Sequence, residues 1–204
     1  MRGTVLNLLG GIAIVLLAVN HGAFTSPREE GFFYIPLAGT AAISAMASLA
    51  ASLVFLRTRN LRFDAAAVAV TEVGLAFLAA AIVDGCCLTG YAGGKWWSWD
   101  SGLTSALVCW LLYAAYLMLR QSVEELTQRA TFAAVWSIFA FLDIPLVVVA
   151  IAWWKPGVHI PFDFTVARLI NLLALVLIGA ILAVVRMRQE EARRDLDSLR
   201  RSSQ

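Results

Sequence analysis

Charge is what this sequence has least of. Only 15% of its 204 residues are Asp, Glu, Lys or Arg, against 60% hydrophobic, whereas an ordinary soluble domain is about a quarter charged and about half apolar. The solvent for most of the chain must therefore be lipid. A formal charge of +2 is too small for a nucleic-acid binder, and no basic patch interleaved with aromatics occurs outside the C-terminal tail. No nucleic acid is expected as a partner. Cysteine is scarce too: Cys86, Cys87 and Cys109 make neither a disulfide framework, a zinc pattern nor a C-x-x-C-H haem-attachment motif. The chain lacks a G-x-S-x-G elbow, a phosphate-binding P-loop and a G-x-G-x-x-G turn after a strand, so an enzyme is not expected. No small-residue cleavage site stands out before Pro27, and the N-terminal apolar run is read as a retained first span.

Long apolar runs are what the sequence does have. A hydrocarbon core about 30 Å thick needs roughly 20 apolar residues in a helix, and six runs of that kind lie at about 4–22, 34–56, 65–85, 101–119, 131–152 and 163–185. They are apolar on every face, which excludes the alternating pattern of a β-barrel and leaves helices, whose backbone groups are satisfied internally. The expected fold is all-α: a polytopic membrane protein with six transmembrane helices over residues 1–185 and a polar helical tail over 186–204. Arginines collect at one set of ends, at Arg2, Arg57, Arg59, Arg62, Arg120, Arg129 and from Arg186 onward, whereas the other ends hold Arg28, Lys95 and Lys155. The positive-inside rule then puts both termini in the cytoplasm, in agreement with an even number of spans. In the tail, Glu190/Arg194, Arg193/Asp197 and Asp197/Arg201 stand at i,i+4 spacing.

Three connections fall on the outer side, at about 23–33, 86–100 and 153–162, and the middle one holds Gly93-Gly94-Lys95-Trp96-Trp97-Ser98-Trp99-Asp100. Tryptophan is enriched at membrane interfaces, so an aromatic belt is the plain reading. The functional reading is a flat, polarizable platform for a large planar ligand, with indole N–H groups and Lys95 for its anionic edge. Were the stretch helical, Trp96, Trp99 and Asp100 would share a face and Trp97 would point away. Charges within spans cost a few kcal/mol even on insertion scales and need partners or a purpose. An ion pair between Asp143 and Arg168 is one expectation; Glu72 is protonated or lines a small cavity, and Asp84 is solvated near the outer interface. Cys86 and Cys87 read as packing residues or as an oxidisable vicinal pair. A small-solute transporter would need a polar path, and apart from Glu72 the inner halves of the spans read as apolar.

The run from Asp84-Gly85 through Lys95-Trp96-Trp97-Ser98-Trp99-Asp100-Ser101-Gly102-Leu103-Thr104-Ser105, followed by an apolar helix with Tyr113, resembles the WWD segment of the haem-handling cytochrome c assembly proteins. The resemblance is closest to the haem exporter protein C type, CcmC. Phe33-Tyr34-Ile35-Pro36, Asp143-Ile144-Pro145 and Trp153-Trp154 match it in the same order, over about residues 30–185. The resemblance implies haem b as a transient cargo at the periplasmic face of a bacterial inner membrane. Its implied partners are a periplasmic haem chaperone, other membrane subunits of cytochrome c maturation, and the lipid bilayer. It places haem on the tryptophan-rich connection, with Trp96, Trp97, Trp99 and Asp100 as the platform; from their charge and position, Lys95 or Arg168 is the candidate contact for the propionates. The family's two axial histidines are replaced by Tyr34 and Val148, and the arginine and glutamate that usually follow the aspartate by Gly102 and Ala106. Candidate iron ligands are therefore Tyr34, whose phenolate is a known type of haem ligand, and His21 and His159, which lie at or near the same outer connections. The competing reading is a diverged structural or interaction subunit of a membrane assembly complex that does not bind haem.

Overall fold

The computed structural model describes residues 34–97, 99, 101–154 and 166–202, all of its regular structure being α-helical. The helices are α1 (Tyr34–Thr58), α2 (Leu61–Gly93), α3 (Ser101–Ser122), α4 (Leu126–Trp154) and α5 (Val166–Ser202). Each contains a stretch long and apolar enough to cross a membrane, giving five candidate spans among the described residues. The apolar run expected at 4–22 lies outside them. Two boundaries differ from expectation. Helix α2 continues to Gly93, so the connection expected at 86–100 shortens to residues 94–100, and α4 begins at Leu126. Neither extension carries a proline, and α2 runs on through Gly90 and Gly93, stopping only where Gly94 takes up the left-handed backbone at φ 67° that glycine adopts without cost. Helix α5 is continuous through Ser202, carrying the last apolar run into the polar tail.

The spans are only partly buried against one another, from 17% of the apolar window in α3 to 44% in α2. Large apolar side chains such as Met46, Met118, Leu146 and Leu173 consequently project outward, as lipid-facing surface does. Helices α1 and α2 form the central pair. Small residues at their contact let the backbones close up: a Cβ on Gly74 would stand 2.7 Å from Cβ of Ser44. Helix α5 packs on one side of this pair, and α3 and α4 pack on the other. At mid-height a polar knot ties three helices together, with Ser48 Oγ lying 2.7 Å from Thr71 Oγ1 and 3.3 Å from Ser137 Oγ. Toward the arginine-rich end, Arg120 donates through Nη1 and Nη2 to both carboxylate oxygens of Asp64, at 2.5 and 3.0 Å, with both residues buried. The Tyr116 ring lies beneath the same guanidinium, 5.9 Å from its carbon.

These contacts correct three expectations. Glu72, expected to be protonated or to line a small cavity, is held in an ion pair: Arg186 of α5 donates to both of its oxygens, through Nε and Nη2. Two arginines that serve in the orientation argument, Arg120 and Arg186, are thus partners of membrane carboxylates rather than free surface charge. The expected Asp143–Arg168 pair does not form, because α4 and α5 do not pack on each other among the described residues and Asp143 Oδ2 is buried without a hydrogen-bond partner. Finally, the interior is not wholly apolar, since Asp64, Arg120, Tyr116, Thr71, Ser48 and Ser137 all face it. Their partners come from different helices, so no single span reveals the pairing.

Candidate functional site

The bundle end opposite the arginines is built around the top of α2. Gly85 is the point where three helices meet: a Cβ there would stand 2.7 Å from Leu103 of α3 and 3.2 Å from the Tyr34 ring of α1. The starts of α1 and α3 therefore lie level with Gly85, and the eight residues 86–93 of α2 rise roughly 12 Å beyond it at 1.5 Å per residue. Asp84 sits at this level and accepts a hydrogen bond from the backbone N–H of Tyr34, the first residue of α1. A helix start leaves N–H groups unpaired and attracts negative charge, so Asp84 caps α1 from the neighbouring helix. Its other oxygen, Oδ2, is buried without a partner, which corrects the expectation of a solvated side chain.

The tryptophan connection folds back along this projecting turn of α2. It is not helical over residues 94–97, so the facial arrangement expected of a helix does not arise. Trp96 lies over Gly90, its ring 3.4–3.7 Å from where a Cβ on that residue would stand, and the Trp96 carbonyl lies 3.4 Å from Thr89 Oγ1, sharing its single hydrogen with the nearer Cys86 carbonyl. Trp96 is nonetheless 70% exposed and Trp99 79% exposed. Trp97 is more covered. Its ring meets that of Trp99 edge to face, with centroids 5.5 Å apart and planes at 78°, and its Nε1 is buried with no acceptor. A flat ligand stacking on either of these two rings meets the edge of the other, an arrangement that the quadrupoles of aromatic rings favour. The buried Trp97 N–H is an unused donor for a polar atom of such a ligand. Lys95 is exposed beside them.

The other sequence-derived candidates divide. Tyr34 belongs to the same end but not to the same face: Gly85 and Gly90, on which the Tyr34 and Trp96 rings rest, are five residues apart, or roughly 140° around the helix and about 7.5 Å along it. Arg168, in the first turn of α5, is half-buried. Cys86 and Cys87 are half-buried free thiols in the two residues directly after Asp84 and Gly85, and the Cys86 carbonyl accepts from Thr89 Oγ1 at 2.9 Å. His21, His159, Asp100 and the side chain of Val148 lie outside the described part. Sequence reasoning missed Gly90 and Thr89, the residues on which Trp96 is seated. Their only signal is helical spacing from a boundary placed too early.

Comparison with known proteins supplies the family. A family model described as CcmC, Heme exporter protein C, matches residues 4–202. The protein named Heme exporter protein C of Bradyrhizobium diazoefficiens is 27% identical over 98% of this chain and 83% of its own length. That of Rhodobacter capsulatus is 28% identical over 78% of this chain and 66% of its own. A cytochrome c biogenesis protein CcsA of Synechococcus is 40% identical over 38% of this chain, but the match takes in only 25% of that longer protein. The match runs through every described helix and the tryptophan connection between α2 and α3, so this chain belongs to the Heme exporter protein C family.

Proposed function

We propose that this chain binds haem on its tryptophan connection at the periplasmic face of the inner membrane and hands it to a periplasmic chaperone during cytochrome c maturation. Family membership supports the broader role in haem handling and cytochrome c maturation, as a multi-pass inner-membrane protein. The observation that carries the narrower reading is the exposure of Trp96 and Trp99 on a short connection braced against α2. Two large apolar rings held out of the bundle need either an interface or a planar ligand to cover them. Trp96, Trp97, Trp99 and Asp100 form the platform in this reading, and Lys95 and Arg168 take the propionates of haem b as a transient cargo. A guanidinium binds a carboxylate through two hydrogen bonds. Iron ligation falls to Tyr34, His21 or His159. The arrangement uses six spans with both termini in the cytoplasm, the first being the run at 4–22, and its partners include other membrane subunits of the maturation system.

The test is the visible spectrum of the detergent-purified protein with and without added haem. A Soret band that shifts and saturates on reconstitution is the expected result, and its absence leaves the competing reading, an assembly subunit without haem. Replacing Tyr34, His21 and His159 one at a time then locates the ligand. Unchanged spectra in all three variants reject these candidates and leave a haem held by stacking alone.

A further inference from the structure

Helix α1 belongs to the central pair, yet one side of it is uncovered. Ile43, Met46, Ala47, Ala50, Leu53 and Val54 are exposed, at the spacings of three and four residues that make one helix face. The other sides of α1 are occupied. Ser44 closes on Gly74 of α2, Ser48 and Phe55 meet Ser137, Ala130 and Ala134 of α4, and Gly39 and Thr40 meet Leu172 and Gly179 of α5. Helices α4 and α5 both pack on α1 and α2 but not on each other among the described residues, so the open side of α1 is the floor of a groove between them. Its composition sets it apart from lipid-facing surface. The exposed positions of α3 between Gly102 and Leu119 are Val108, Leu111 and Met118, and those of α4 between Thr131 and Ile144 are Phe132, Val135, Phe139 and Leu142. All of these are large. The α1 stripe has Ala47 and Ala50 at its middle, residues small enough for another helix to approach closely.

We propose that the apolar run at 4–22, which lies outside the described residues, is the helix that covers this stripe, antiparallel to α1 in the groove between α4 and α5; the proposal rests on reading that run as the first span. Length and tether both fit. As a helix the run reaches about 28 Å, enough to cover a stripe of about 16 Å. The connection at about 23–33 leads directly into α1 and is long enough to bridge the roughly 8–10 Å between packed helices. Helices joined by a short connection are ordinarily antiparallel neighbours. The run also carries a matching face: Asn7, Gly11, Ile14 and Ala18 fall on one side of such a helix. With the start of the connection level with Tyr34, counting along the two helices sets Asn7 level with Ala50, Gly11 with Met46 and Ile14 with Ile43. The long Met46 side chain then has a glycine opposite, and small residues stand on both helices at the middle of the contact.

Disulfide cross-linking in the full-length chain tests the packing without reference to haem. The background is Cys86→Ser, Cys87→Ser and Cys109→Ala, with a protease site in the connection at 23–33. Oxidation of Ile14→Cys with Ile43→Cys is expected to join the two cleavage fragments. The comparison is Ile14→Cys with Ala76→Cys, which stands at nearly the same height on a shorter open face of α2 formed by Ala76, Ala80 and Val83. The first pair should link at least about fivefold more, since seating the run on α1 raises the effective concentration of that pair alone. Preferential linkage to Ala76→Cys, or a disulfide between two chains at Ile43→Cys, overturns the proposal. Should the paired variants fail to fold, a nitroxide on Ala50→Cys alone decides the point. Its collision rate with oxygen is expected to be at least about threefold below that of a nitroxide on Val135→Cys, which faces lipid at a similar depth, because close-packed interiors exclude the quencher. Equal rates overturn the proposal. Gly3→Cys, modified by an impermeant maleimide from the cytoplasmic side alone, reports the span separately. A chain that spans without linkage to Ile43→Cys overturns the packing and leaves the span, whereas modification from the outside removes both.

Discussion

The two ends of the bundle handle carboxylates in opposite ways. Toward the arginine end, carboxylates that sequence reading leaves alone are gripped by guanidinium groups from other helices, Asp64 by Arg120 and Glu72 by Arg186. Toward the tryptophan end, Asp84, Asp143, Trp97 and Tyr113 all carry buried polar atoms without partners, and the largest aromatic side chains stand exposed. Buried hydroxyls without a partner occur toward the arginine end as well, on Ser52 and Tyr116; what sets the tryptophan end apart is that its carboxylates keep an unpaired buried oxygen and its largest aromatic rings are uncovered. Since unsatisfied groups are costly to bury, the difference separates a part that holds the fold from a part shaped to receive something.

Breaking the closed end should produce the largest effect. Asp64→Asn leaves a buried guanidinium without its counter-charge and is expected to cost about 3–5 kcal/mol, read as a lowered midpoint of thermal unfolding in detergent. The double variant Asp64→Asn, Arg120→Met should recover much of that loss, since it removes both charges. A single variant as stable as the parent would show that the pair does not hold α2 to α3. In either variant, haem binding per folded molecule should be unchanged if the two ends are independent.

At the open end the effects are smaller and fall on binding instead. Trp96→Ala and Trp99→Ala each remove a stacking surface worth about 0.5–1.5 kcal/mol, so haem affinity by Soret titration should fall roughly 2- to 10-fold with the unfolding midpoint unmoved. A drop in stability without a drop in affinity would return these rings to the role of an interface belt.

Gly90 sharpens the same contrast. An alanine there fits, its Cβ in ordinary contact with the Trp96 ring, and helix propensity favours it by about 1 kcal/mol. Gly90→Val drives a further methyl group into the ring and is expected to weaken haem binding as much as Trp96→Ala does, with no additional loss in the double variant. Additive losses in that double variant would show that Gly90 does not act through Trp96. The smallest effect is expected from Thr89→Val, which removes the 3.4 Å bond to the Trp96 carbonyl. A change in affinity of under about twofold is anticipated, given the roughly 0.5 kcal/mol of a weak exposed hydrogen bond.

Helix type and approximate extent of the five described spans were legible because a lipid solvent leaves the chain little choice: the four runs from 34–56 to 131–152 each fall within a helix, and the run at 163–185 is helical from Val166 on. Less legible were the ends. Residues 86–93 contain two glycines, two cysteines and a threonine, a composition that reads as a connection. They remain helical because α2 continues past its neighbours with nothing to stop it before Gly94. The same error hid Gly90 and Thr89, which can be assigned to Trp96 only once they are known to lie on a helix that the tryptophan connection retraces.

Residue types and their order were sufficient to say that this chain lives in lipid as helices, and that its tryptophan stretch links two of them and resembles a haem-handling segment. Which carboxylate each arginine grips, and which polar atoms go without a partner, was decided by tertiary structure alone. The reason is physical: a membrane helix satisfies its backbone internally, from its own sequence, but its polar side chains find partners only across helices that the chain order does not place. The tryptophan stretch could be read from the sequence. The projecting turn of α2 that holds Trp96 against Gly90, and the edge-to-face setting of Trp97 on Trp99, could not.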